Sequence, residues 1–243
     1  MDAAAVVRLG WADGALVTGA EGQSGGAAVP AAPPAPDEVK TSRLLGTLGV
    51  GGAVAGVLLV IAFGLTLPTI EANKARELEV AVKEVLKAPA RYETLYVVGG
   101  ALARKVPDGT DPKKIERVFL GYGTDNQRVG FAMVSAEAGF QDLVKVIFGY
   151  DPKTKQLLGM KVLESKETPG LGDKIEKDQA FVSQFAGAQA PLVGIKTGKR
   201  SNPREVVMIT GATISSKAVI RIINSALKRL GPLVDAYPQE DKG

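Results

Sequence analysis

The chain predicts an α+β fold: a mixed, mostly antiparallel sheet packed by helices, preceded by a single transmembrane helix. Three observations carry this reading. Leu44 to Leu67 contains no charged residue and is long enough to cross a bilayer as a helix. Between Leu95 and Glu164, short β-branched and aromatic runs alternate with turn-forming residues, the pattern of consecutive strands. Near the C-terminus, an apolar run, Val206–Ile209, meets a small-residue turn and then a helix-period stripe.

In chain order, residues 1–43 come first. They are rich in Ala, Gly and Pro, with Val29-Pro30-Ala31-Ala32-Pro33-Pro34-Ala35-Pro36 at their centre. Such a stretch is extended and solvated, a disordered arm. Residues 44–67 form the membrane segment. Gly46, Gly49, Gly52 and Gly56 lie along it, and the Gly52/Gly56 spacing permits close approach of another helix or simply reflects tolerance of Gly in membrane helices. A cleaved signal peptide is disfavoured by the late start and by the absence of a basic leader or a small-x-small site before Pro68. Lys40 and Arg43 on one side balance Lys74 and Arg76 on the other, so charge does not set the orientation.

After Pro68, residues 68–91 read as a connecting amphipathic helix, about Ile70 to Ala88, with Leu78, Val82, Val85 and Leu86 at helical spacing and Pro89 as the stop. Residues 92–232 form the soluble domain. Strands are expected at Leu95–Val98, Arg117–Tyr122, Val129–Ser135, Leu143–Tyr150 and Leu157–Glu164, the last two joined by the turn Asp151-Pro152-Lys153-Thr154. A short helix follows at Asp178–Phe185, then a strand at Glu205–Ile209 and a helix at Ser215–Leu230. Ala218, Val219, Ile222, Ile223, Ala226, Leu227 and Leu230 form the apolar stripe of that last helix. Gly231-Pro232 is expected to end it, leaving residues 233–243 as a tail.

Composition excludes much chemistry. Without cysteine or histidine there are no disulfides, thiolate nucleophiles, iron–sulfur ligands, haem histidine or histidine base. Redox work therefore requires an organic cofactor. A net charge of +4 with 5% aromatic residues gives no nucleic-acid platform.

Two segments could carry chemistry. In Thr210-Gly211-Ala212-Thr213 a strand turns tightly into a helix N-terminus, where free N–H groups and a threonine hydroxyl can hold a phosphate. Ser215 or Ser216 is expected to cap the helix, and Lys217 stands in its first turn as a partner for an anion. The second segment is Glu167-Thr168-Pro169-Gly170-Leu171-Gly172. Pro169 and the glycines force a defined loop, with Thr168 offering a hydroxyl and Leu171 an apolar contact to a planar ring. Taken singly, each is also readable as an ordinary connection between elements.

Together, the Glu-Thr-Pro loop with Asp173-Lys174-Ile175 after it, and the Thr-Gly-Ala-Thr turn with Ile214-Ser215-Ser216 after it, resemble the FMN-binding domain. That domain occurs in the G subunit of the Rnf electron-transport complex and in the C subunit of the sodium-pumping NADH:quinone reductase. The resemblance covers about Leu44 to Leu230, and the Asp-Lys-Ile continuation leans toward the Rnf protein. It implies an electron-transfer component of an ion-translocating complex, not catalytic alone, working with other membrane and peripheral subunits. It also implies FMN joined as a phosphoester to Thr213 by a flavin transferase that uses FAD, and a single-pass anchor in lipid of the bacterial cytoplasmic membrane with the FMN domain on the extracytoplasmic side. Two positions depart from the pattern: Val207 stands where the transferase target has an aspartate, and Ser165 where many relatives have a histidine. The first keeps open an unflavinylated scaffold of the same fold.

Overall fold

The computed structural model describes residues 40–238. The expected arm, 1–39, and the last residues of the tail lie outside them. The chain divides into two compact units, residues 1–57 and 58–243. The described part of the first is helical, and its apolar side chains, Leu44 to Val57, are exposed.

Helix α1 runs Thr41–Val85 without interruption and is the one helix among the described residues long and apolar enough to cross a membrane. A break at Pro68 was expected; none is present. Proline removes one backbone donor, and apolar spanning helices accommodate that loss. The helix stops earlier than Ala88 because Lys87 and Ala88 adopt left-handed φ of 59° and 56°. There Ala88 N–H donates to Lys83 C=O (2.7 Å) and Lys87 N–H to Glu84 C=O (3.1 Å), the paired bonds of a Schellman end.

Six strands follow: β1 (Arg91–Val98), β2 (Ala101–Ala103), β3 (Arg117–Tyr122), β4 (Arg128–Ala138), β5 (Leu143–Asp151) and β6 (Gln156–Glu164). They form one sheet in the order β2-β1-β3-β4-β5-β6, and every pair is antiparallel. β1–β2 is a two-residue hairpin on Gly99 and Gly100, both at positive φ, and the sequence reading missed β2. The Asp151 turn forms as expected, its carboxylate accepting from Lys153 N–H (2.9 Å) and Thr154 Oγ (2.9 Å).

The central strands are buried on both faces, and their side chains sort with period two. Val118, Leu120, Phe131, Met133, Val146 and Phe148 join the larger core. Phe119, Ala132 and Ile147, between them in sequence, pack with Ala81, Val82, Val85 and Leu86 of α1. The other face is covered by α4 (Thr213–Ala236), which buries Val219, Ile222, Ile223 and Leu230. α4 continues past Gly231-Pro232 for another turn. Val234 is buried there, and the Tyr237 ring meets Phe131 edge-on at 6.1 Å. Burying such side chains contributes about 1.5–3 kcal/mol each, enough to offset the bond that Pro232 removes.

The expected helix at 178–185 is two short turns, α3 (Gln179–Val182) and a 3₁₀ turn at Ser183–Phe185, and a separate turn, α2 (Lys174–Lys177), that the sequence reading missed precedes it. Asp178 separates α2 from α3 by capping the latter, accepting from Ala180 N–H (2.9 Å) and Phe181 N–H (3.3 Å). The strand expected at 205–209 is shorter, β8 (Glu205–Val207). It does not enter the main sheet but pairs in parallel with β7 (Val193–Ile195), a strand the sequence reading missed. The sheet expected to be mixed is therefore wholly antiparallel, and parallel pairing is confined to this separate two-stranded sheet.

Candidate functional site

Three connections meet at one end of the sheet. Residues 139–142 join β4 to β5, residues 165–173 leave β6, and residues 208–212 lead from β8 into α4. In the second, Leu171 N–H donates to Thr168 C=O (3.1 Å) with Pro169 and Gly170 (φ +78°) between them, the arrangement of a type II turn. In the third, Ala212 N–H donates to Ile209 C=O (3.1 Å) around Thr210 and Gly211 (φ +85°). The two turns touch: a Cβ on Gly211 would stand 3.7 Å from Leu171 Cδ2.

Glu167 ties all three together. It is 5% exposed. Its Oε1 accepts from Phe140 N–H (2.7 Å) and Gln141 N–H (3.2 Å), and its Oε2 accepts from Ser215 Oγ (2.6 Å). Gly139 and Gly172 are shaped to this carboxylate. A Cβ at Gly139 would lie 2.3 Å from Oε1, and one at Gly172 would lie 2.7 Å from Oε2 and 3.0 Å from Ser215 Oγ. Outside this node, Lys166 bonds Asp142 at 2.9 Å. That ammonium, with Leu143 N–H, holds the Asp142 carboxyl below its ordinary range. Lys177 depresses Asp173 in the same way at 2.7 Å.

The serines at the start of α4 do not cap it. The cap position is Ala212, without a side-chain bond. Ser215 faces Glu167. Ser216 is fully buried, its Oγ donating to Ala212 C=O (2.9 Å) and accepting from Ile209 N–H (3.2 Å). Both lie inside the helix, beyond the position from which a side chain can cap, and instead brace the turn from within. The N–H groups of Thr213, Ile214 and Ser215 have no hydrogen-bond partner among the described residues, as the geometry of a helix start dictates. Of the four hydroxyls at this turn, the two serines are committed. Thr213 is half-buried at the first helical position and Thr210 is exposed before the turn.

The remaining expected residues differ in exposure. Ala212 and Gly172 are buried. Thr168 is half-buried. Pro169, Gly170, Leu171, Gly211 and Lys217 are exposed. The sequence reading missed the loop 139–142. Its Gly139-Phe140 pair between two strands was the available signal. Phe140 and Leu171, from two of the connections, and Ile214, in the first turn of α4, are large, apolar and exposed. The fit to FMN is direct: three free N–H groups and a hydroxyl for a phosphate, and exposed apolar side chains for a planar ring. Among the described residues no cluster could hold a metal ion.

Residues 139–228 match the family model of the FMN-binding domain, a span that begins at the missed loop and takes in all three connections. Over those residues the chain is similar to the FMN-binding domain. Its likeness to known proteins extends beyond that domain. The chain is 28% identical over 191 residues to the G subunit of the ion-translocating oxidoreductase complex of Methanosarcina acetivorans, covering 79% of this chain and 95% of that one. It is 29% identical over 184 residues to the G subunit of the Na(+)-translocating ferredoxin:NAD(+) oxidoreductase complex of Acetobacterium woodii, covering 74% and 87%. In fold it is similar to the crystal structure of Shewanella oneidensis NqrC, with a TM-score of 0.53, 18% identity, and 63% and 91% of the two chains covered.

Proposed function

We propose that this chain is the membrane-anchored flavoprotein subunit of an Rnf-type ion-translocating ferredoxin:NAD oxidoreductase, with FMN esterified through its phosphate to Thr213. The observation that carries the site is the start of α4. There, free N–H groups flank Thr213 while Ser215 and Ser216 are buried and bonded within the chain. When bound, FMN supplies one- and two-electron chemistry. The chain's own residues do the rest. The N–H groups of Thr213, Ile214 and Ser215 stabilise the phosphate charge, an effect of about 0.3–1 kcal/mol at an exposed helix start. Thr213 Oγ provides the ester oxygen. Thr168, Leu171, Phe140 and Ile214 flank the ring, and Glu167 holds their three backbones in register.

The anchor is the apolar part of α1, the domain faces the extracytoplasmic side, and a flavin transferase loads the cofactor. Redox partners are the neighbouring subunits, on the pattern of the named relatives. The test is intact mass and peptide mapping of Thr210–Lys217 from native membranes. One FMN residue on Thr213, lost in Thr213→Ala, is the expected result. An unmodified peptide from a host with an active flavin transferase overturns the cofactor assignment and leaves a scaffold, as Val207 allows. Orientation is read separately: the cysteine-free chain accepts a single Lys153→Cys probe, which an impermeant thiol reagent labels from outside if the assignment holds.

A further inference from the structure

Helix α1 and strand β5 run side by side in the same direction. A Cβ at Gly149 would strike the Val85 carbonyl. Ile147 lies in one buried cluster with Ala81 and Val82. Lys145 and Lys74 share the Glu164 carboxylate, at 3.7 and 3.1 Å. Followed further the same way, α1 reaches Leu67 about 10 Å beyond Lys74, at about 1.5 Å per residue. β5 reaches its first residue, Leu143, about 7 Å beyond Lys145, at about 3.3 Å per residue, and the 139–142 turn projects past it. Leu67 ends the stretch without charge, and residues 58–67 belong to the same compact unit as the sheet. The 139–143 tip therefore stands level with the end of the apolar segment. Between α1 and the sheet lies a cavity of about 800 Å³, lined by Pro68, Ala72, Ala75, Leu78, Val134 and Leu163, among others, so helix and tip approach that level separately.

The side chains of the tip suit a bilayer surface. Leu143 is 59% exposed and Phe140 62%, whereas Val144 and residues 146–150 of the same strand are buried. The charges next to the tip are paired within the chain: Lys166 with Asp142 at 2.9 Å, and Lys145 and Lys74 with Glu164. Exposed Phe and Leu beside charged groups enter the headgroup boundary by about 5–10 Å, while the charges stay hydrated. A specific protein partner is selected by charges left open to complement, and these pairs leave none at the tip.

We propose that the 139–143 tip is a second contact with the bilayer, Leu143 entering its interfacial layer with Phe140, which also bounds the flavin seat, beside it. The inference rests on the anchor assigned above and not on the ester at Thr213. Because α1 already holds the domain at the membrane, even a weak contact is populated, the tether raising its effective concentration. Glu167 accepts from Phe140 and Gln141 N–H, so the contact fixes the end of the domain that bears the three connections against the membrane.

The test replaces Leu143, Leu59 or Lys153, one at a time, by benzoylphenylalanine, which on irradiation inserts into neighbouring C–H bonds, in the full chain in its native membrane. All three positions are exposed, so the fold tolerates the change. Leu59 lies in the apolar part of α1, and Lys153 in the turn at the opposite end of β5. The expected result by mass mapping is a phospholipid adduct at 59 and at 143 and none at 153. Three results overturn the proposal: position 143 couples to another polypeptide in place of lipid, which makes the tip a subunit interface; position 143 carries no adduct while 59 does; or 153 takes lipid as readily as 143. Absence of lipid at 59 removes the anchor and this contact with it. The same digest reads Thr213. Lipid at 143 on a chain without FMN removes the flavin reading alone, and FMN without lipid at 143 removes the contact alone.

Discussion

Truncating Glu167 removes the acceptor for two part-buried backbone N–H groups and one buried hydroxyl. A buried donor left without a partner costs about 1–3 kcal/mol. Relief of the carboxylate's own desolvation and water entry return part of this, so Glu167→Ala is expected to destabilise the domain by about 3–4 kcal/mol. Glu167→Gln keeps an oxygen for Phe140 and Gln141 and places an NH₂ opposite Ser215 Oγ, which can accept as well as donate. Its expected cost is about 1 kcal/mol. With a urea slope of about 2 kcal/mol/M for a domain of this size, the midpoint falls by about 1.5–2 M for Ala and about 0.5 M for Gln. Pulse proteolysis of the detergent-solubilised full chain across a urea series measures both. Because Ser215 shares the bond, Ser215→Ala and Glu167→Gln should combine less than additively. Equal midpoints for the Ala and Gln variants, or strict additivity with Ser215→Ala, would refute the view that this carboxylate ties the three connections together.

Gly172→Ala drives a methyl against Glu167 and Ser215 and should cost about 1–3 kcal/mol; Gly170→Ala, in open space, incurs only the left-handed backbone penalty of about 1 kcal/mol, so the two rank in that order by the same assay. Ile223→Ala opens a cavity in the fully buried face of α4 and should lower stability by about 2–5 kcal/mol. Asp142 titrates below its ordinary value because Lys166 bonds it. Its contribution is therefore present above the unfolded carboxylate pKa, near about 3.9, and is lost as pH falls through the lower folded value. NMR titration should show Asp142 moving up toward that ordinary value in Lys166→Gln.

Period-two burial explains why the strands were legible. Val118 through Tyr122 and Phe131 through Met133 are buried on both faces, so their sequences are nearly continuous apolar runs. β2 and β7 were missed because they are three-residue strands with no pattern of their own. Only the pairing of Ala101–Ala103 across Gly99-Gly100, and of Val193–Ile195 with β8, defines them. The extensions of α1 through Pro68 and α4 through Pro232 contradict local propensity. For α4, Val234 and Tyr237 supply the tertiary reason, which no local window contains. At the site, the motifs marked the two turns, but not that Ser215 and Ser216 point inward. For Ser215 that depends on Glu167, 48 residues before it in the chain, and a partner so distant leaves no local signature. The loop 139–142 escaped for the same reason: its backbone is tied to the other two connections through that one side chain.

The placement of Glu167 also bears on why an ester is needed. Its carboxylate bonds the hydroxyl of Ser215, whose own N–H is one of the three at the phosphate seat. Free FMN brings a phosphate of nearly two negative charges at neutral pH, given a second pKa of about 6 for phosphate monoesters. The ester to Thr213 leaves one. A buried negative charge beside the seat opposes both, and opposes the doubly charged form more. This chain should therefore hold non-covalent FMN poorly, and Glu167 should be one cause. In Thr213→Ala, where the ester cannot form, adding Glu167→Gln should tighten binding of free FMN on the order of tenfold, about 1.4 kcal/mol, when measured by flavin fluorescence quenching on the full chain. The gain should shrink at about pH 5, where the phosphate loses its second charge. Unchanged or weaker binding at neutral pH would mean that Glu167 acts on the backbone alone, with its charge screened from the seat by Ser215.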